Sequence, residues 1–125
     1  MPASNFGSNL IANYLTSGDL YLALTTSATV DTDTGSTIDE PTGASYSRVL
    51  LSSANWSAAS AGECTYDTAI VYNPTEDWGS ILGYAICQDS TAGEIVAYGA
   101  LTSMVNIEAS SYTQVPPGAI KIGVA

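Results

Sequence analysis

The chain has 125 residues, of which 46% are apolar and 11% charged, with 12 Asp and Glu against only Arg48 and Lys121. The size fits one domain able to bury a core without staples. A net charge of −10 excludes nucleic acid and anionic lipid as partners, since both need clustered Lys and Arg, and it favours a basic partner. Sixteen Ser and fourteen Thr replace the usual charged surface. Such short, neutral side chains suit a surface that lies against other subunits, where long charged residues are depleted; a plain Ser/Thr-rich β-protein would have the same composition.

In chain order, residues 4–15 are the one helix candidate, with Phe6, Leu10, Ile11, Tyr14 and Leu15 at helical spacing, Ser4 as cap and Gly18 as stop. No stretch reaches the ~18 apolar residues of a membrane span, and the N-terminus lacks the basic start of a secretory signal, so the product is expected to remain in the cytoplasm where it is made. Residues 19–26 read as a strand. Residues 27–43 form a long acidic loop carrying Asp31, Asp33, Asp39 and Glu40. Loops of that length are usually functional or mobile. Residues 46–51 read as a short strand with Arg48, and Trp56 is expected to plug one end of the core. Residues 63–73 alternate Cys64, Tyr66, Thr68, Ile70 and Tyr72 against Thr65, Asp67, Ala69 and Val71, the pattern of one half-exposed strand.

The organising element is 77–102, two apolar arms around a turn at residues 88–93. Leu82, Tyr84 and Ile86 alternate with Ile81, Gly83, Ala85 and Cys87, and the second arm, 94–101, again has two apolar faces. Both arms are therefore expected to be covered on both sides, by a sandwich, a barrel or a subunit interface. Further strands are expected at 104–108, 112–115 and 119–124, with Pro116 and Pro117 at an edge or corner. The sum is an all-β, jelly-roll-like antiparallel sandwich or barrel of about seven or eight strands with one short N-terminal helix, in a single domain 1–125 with 1–18 as a helical segment.

Chemistry is sparse. With no His, Ser-His, Cys-His and His-metal sites are all absent. The carboxylate pairs Asp39-Glu40 and Glu76-Asp77 are adjacent on extended chain, where neighbours point apart, which is poor geometry for a shared hydrolytic site. Asp31-Thr32-Asp33-Thr34-Gly35 resembles the start of a calcium loop, but the third oxygen ligand, the following Gly and the closing Glu all fail. No catalytic residue, cofactor or metal is expected. Cys64 and Cys87 read as buried thiols in a reducing compartment.

Several stretches together resemble a family of small virion proteins of tailed phages, labelled tail fibre or capsid decoration proteins. They are the N-terminal helix, YLALTT at 21–26, EPTGASYSRV at 40–49, WSAASAG at 56–62, DWGSILGYAI at 77–86, GALT at 99–102 and VPPGAIKI at 115–122. The acidic loop and the two cysteines depart from that pattern. The resemblance implies a self-assembling virion β-domain without enzyme activity. The first expectation is a capsid decoration (cement) protein: a homo-oligomer, trimer favoured, bound to the major capsid protein or another virion protein. The absence of a repetitive shaft favours that reading for a complete chain. The alternative is a tail-fibre or baseplate adhesin module binding host glycan, with Tyr66, Tyr72, Tyr98 and Tyr112 as candidate aromatics. Expected interface residues are Phe6, Leu10, Ile11, Tyr14, Asp31, Asp33, Asp39 and Glu40.

Overall fold

The structure is a computed structural model that describes residues 4–123. The expected positions Met1–Ala3, Val124 and Ala125 lie outside it. The elements are α1 (Asn5–Leu15), β1 (Leu20–Thr25), β2 (Val49–Leu51), a 3-10 turn (Ser53–Asn55), β3 (Glu63–Thr65), β4 (Ile70–Tyr72), β5 (Gly79–Cys87), β6 (Ile95–Ile107), β7 (Thr113–Val115) and β8 (Lys121–Gly123). The chain is mostly β with one N-terminal helix, as its alternating short apolar runs require. The strands form a four-stranded sheet of order β2-β1-β5-β6 and the ribbons β3-β8 and β4-β7. Pairs β1–β5, β5–β6 and β3–β8 are antiparallel.

The chain folds into two compact units. The first comprises Met1–Leu20, Leu51–Ile70 and Val115–Ala125. Here α1 starts at Ser4, whose hydroxyl accepts from the Gly7 N–H at 3.1 Å, satisfying one of the orphan donors of the first turn. The helix ends at Thr16 rather than at Gly18: the Thr16 N–H and Oγ1 both donate to the Ala12 carbonyl, each at 3.2 Å, closing the last turn without a glycine. The helix buries its small stripe, Ser8, Ala12 and Thr16, spaced four apart. Asn9 Oδ1 accepts from Gly62 N–H at 2.7 Å and Asn13 Oδ1 from Ala59 N–H at 2.9 Å, so two asparagines bind the helix to the loop before β3. Trp56 is buried edge-on against Tyr66, ring centroids 5.2 Å apart.

The second unit comprises Tyr21–Leu50 and Val71–Gln114 and, but for boundary residues, carries the four-stranded sheet and the β4-β7 ribbon. Its centre is Ala23, Ala85 and Cys87, fully buried and covered by Ile38 and Ile95. Burial pushes the Cys87 thiol pKa up, away from the reactive thiolate. Tyr46, Tyr72 and Trp78 meet edge-on, with centroids 5.2 and 5.6 Å apart.

Three expectations need correction. The strand expected at 46–51 begins only at Val49, because Tyr46 and Arg48 turn their polar ends to Glu40. The strand expected at 63–73 is two strands separated by a bend at Thr68, with β3 pairing to β8 and β4 to β7. The strands expected at 94–101 and 104–108 are one, β6. Its register against β5 jumps from Gly83↔Ala100 to Ile81↔Val105, leaving residues 101–104 opposite Leu82 alone. This is a bulge several residues wide.

The hairpin is also less covered than its sequence implies. Ile81, Gly83, Ala85, Ile86 and Cys87 are buried, but Leu82 is exposed. On β6 only Ile107 is buried among the described side chains; Tyr98, Met104 and Val105 are exposed.

Candidate functional site

In the second unit the acidic loop is built around Arg48. Its Nη2 lies 2.6 Å from Glu40 Oε1 and donates to the Gly35 carbonyl at 2.8 Å. Nη1 donates to the carbonyls of Asp89 at 2.8 Å and Ala92 at 2.9 Å, while Nε faces both Glu40 oxygens. One guanidinium thus ties the loop at Gly35 and Glu40 to the β5–β6 turn, using the fork of donors that only arginine has. The Glu40 hydrogen bond pushes the Arg48 pKa up, so the charge is permanent. Tyr46 donates to Glu40 Oε2 at 2.6 Å and accepts from the Leu24 N–H at 3.0 Å. Burial and the Glu40 contact push the Tyr46 phenol far up, so it stays a donor. Gly35 is required here: its N–H donates to the Gly93 carbonyl at 2.8 Å, and a β-carbon at 35 would collide with the Ala92 carbonyl.

With the loop so held, its tip meets β6. Asp31 Oδ1 accepts from the Tyr98 hydroxyl, which pushes the phenol pKa up. Asp33 Oδ2 accepts from the Val30 N–H at 2.9 Å and Oδ1 from the Thr37 hydroxyl at 2.9 Å. Asp31, Asp33, Ile95, Ala97 and Tyr98 line a cleft of about 230 Å³. Beside it lies a recess of about 100 Å³ that shares Tyr98 and includes Thr25, Gly83 and Gly99. The Thr25 hydroxyl is buried and, among the described residues, has no hydrogen-bond partner.

The expected interface residues divide into three groups. Asp31 and Asp33 come together at the cleft. Asp39 accepts from the Ser27 hydroxyl at 2.6 Å and its carbonyl from the Thr26 N–H at 2.9 Å, closing the loop base. Glu40 turns inward to Arg48 and Tyr46. In the first unit, Phe6, Leu10, Ile11 and Tyr14 share the outer side of α1 and are 74, 55, 47 and 79% exposed. Among the candidate aromatics, Tyr66 and Tyr72 are buried, Tyr112 is exposed, and Tyr98 stands at the cleft. The sequence reading did not single out the Arg48 clamp. Its signal was a lone cation in a region otherwise acidic, eight residues after a glutamate.

Among the described residues no group of three or more metal-binding side chains gathers, and no helix is long and apolar enough to cross a membrane. No curated protein matches the chain. The model of one family, described as Podophage GP4 fiber I protein gp80, matches residues 5–123, nearly the whole chain and both units. The chain therefore belongs to that family of phage fibre proteins and is a component of the virion.

Proposed function

We propose that the protein is a non-enzymatic structural subunit of a phage tail fibre. It assembles with copies of itself, three being favoured, and with other virion proteins. The observation that carries the assembly reading is the outer face of α1. Phe6, Leu10 and Tyr14 follow one another at intervals of four residues, with Ile11 beside them, all exposed. No charged residue occurs before Asp19. In a chain of net charge −10 this is where two copies can meet without repulsion, and contiguous exposed apolar area marks interaction surfaces. The fibre family supports placement on the tail over the capsid-cement reading drawn from the surface composition and the missing shaft. An adhesin role, with a host glycan held by exposed aromatics, is the finer form of the same reading.

Two measurements test it. Antibody against this chain should label the tail of the intact particle, and a head label would restore the cement reading. Light scattering should give an oligomer that the F6S/L10S/Y14S variant loses while its circular dichroism stays unchanged. A monomeric parent chain overturns the assembly reading. The substitutions serve better than removal of the helix, because truncation would also strip the buried Ser8, Ala12 and Thr16 from their partners.

A further inference from the structure

The second unit carries nine carboxylates and a single cation, Arg48. Arg48 is spent on Glu40 and three backbone carbonyls. Among the described residues, Asp31 and Asp33 take part in no ion pair, and both face the cleft of about 230 Å³. The cleft has a particular chemistry. Asp31, Asp33 and Tyr98 line it, and Val30, Ile95, Val96 and Ala97 supply uncharged lining. The adjoining recess shares Tyr98 and is lined by Thr25, whose buried hydroxyl has no hydrogen-bond partner among the described residues.

The arrangement fits a long aliphatic stem ending in a cation. Lysine and arginine lay their stems along apolar surface and keep the charge at the tip. Carboxylates receive the head by charge-assisted hydrogen bonds, and a tyrosine ring attracts a cation over its face. A metal ion is a poorer match. Calcium takes about six to eight oxygen ligands, whereas among the described residues no three metal-binding side chains gather here. Each carboxylate oxygen keeps a further lone pair for an ammonium or guanidinium.

We propose that the cleft formed by residues 30–33 and 95–98 docks a lysine or arginine side chain of a partner protein, and that Asp31, Asp33 and Tyr98 are its recognition residues. This does not depend on the helix face or on placement in the tail. The probe is a tetralysine amide peptide titrated at low ionic strength, followed by heat and by the resonances of Tyr98. Binding should shift Tyr98 signals and weaken as salt rises. In D31N/D33N and in Y98A the affinity should fall by about tenfold or more, the scale of one good charged contact. The double variant D67N/E108Q, which removes the same charge elsewhere, should bind like the parent. Circular dichroism of each variant confirms that the fold is intact, and Y98A keeps both loop charges while removing the ring and the hydroxyl that donates to Asp31. Three results would each overturn the proposal: no binding by the parent, equal weakening in D67N/E108Q, or calcium that outcompetes the peptide at equal ionic strength and loses its grip in D31N/D33N.

Discussion

Arg48 and Glu40 form an ion pair of 2.6 Å in which the arginine side chain is only 3% exposed. The pair is the junction of the acidic loop, the strand β1 side reached through Tyr46, and the β5–β6 turn. Removing one partner of a buried pair leaves the other charge uncompensated, which costs about 3–5 kcal/mol. Arg48→Met should therefore lower the unfolding free energy obtained from urea titration by that order and free the loop, seen as faster amide exchange at Gly35. Arg48→Lys should lose less of the charge term yet still fail to span Gly35, Asp89 and Ala92 together. A lysine variant as stable as the parent would show that the charge alone matters.

Ile86 is fully buried on β5, while its strand neighbour Leu82 is 38% exposed. Ile86→Asp should abolish soluble folding, because it places an unpaired charge in the core. Leu82→Asp should fold, with a loss of no more than about 1 kcal/mol, the usual scale of a surface change. Solubility and thermal melts of the two variants decide this.

Alkaline unfolding follows from Tyr46 and Tyr72. Burial is the largest cause of the upward shift in both phenols, from an ordinary value of 10.0. The unfolded chain would ionise at its ordinary value while the folded chain still holds the proton. Their stabilisation is thus complete below pH 10 and is lost as the pH rises beyond it. Melting temperature against pH should fall above that value. In Tyr72→Phe, which also removes a buried hydroxyl with no partner among the described residues, the fall should be shallower.

Acid acts through Glu76. Its Oε1 accepts from the Ser45 hydroxyl at 2.7 Å and the Ser45 N–H at 2.6 Å, and these bonds hold its pKa below the ordinary 4.5. A lowered value contributes stability above 4.5 that disappears as the pH falls below it. Glu76→Gln should melt below the parent at neutral pH, and the two curves should converge in acid.

Neither unit is a continuous stretch of chain: one is built from three segments and the other from two. The expectation of a single domain therefore takes the form of a proposal that the chain unfolds in one transition. Calorimetric and van't Hoff enthalpies should agree, and two resolved transitions would divide the chain into independent domains.

What could be read from sequence was local. The helix, its Ser4 cap, the first strand and the central turn follow from spacing and turn chemistry, and the structure places them where those rules do. Strand continuity could not be read. Residues 63–73 alternate throughout, but whether an alternating run stays in one sheet depends on which partner strand arrives, here β8 or β7. The helix stripe was legible and its orientation was not. Phe6, Leu10 and Tyr14 are the apolar side, yet α1 docks through Ser8, Ala12 and Thr16, whose small size and asparagine neighbours allow close approach. The cleft was half legible. Asp31 and Asp33 stand out in the loop, but Tyr98 is 67 residues from Asp31, a pairing that local pattern cannot supply.

The bulge in β6 has a consequence for colloidal behaviour. β6 is the outer strand of its sheet, and from Ile95 to Ile107 it contains no charged residue and no proline, the residues that usually blunt such an edge. An unbroken run of this composition would template cross-β growth. Residues 101–104 interrupt it, so an incoming extended segment can register against one half of the strand and not continue along the other. Deleting residues that restore an even ladder should turn a soluble chain into one that seeds fibrils, with thioflavin fluorescence rising at concentrations where the parent remains clear.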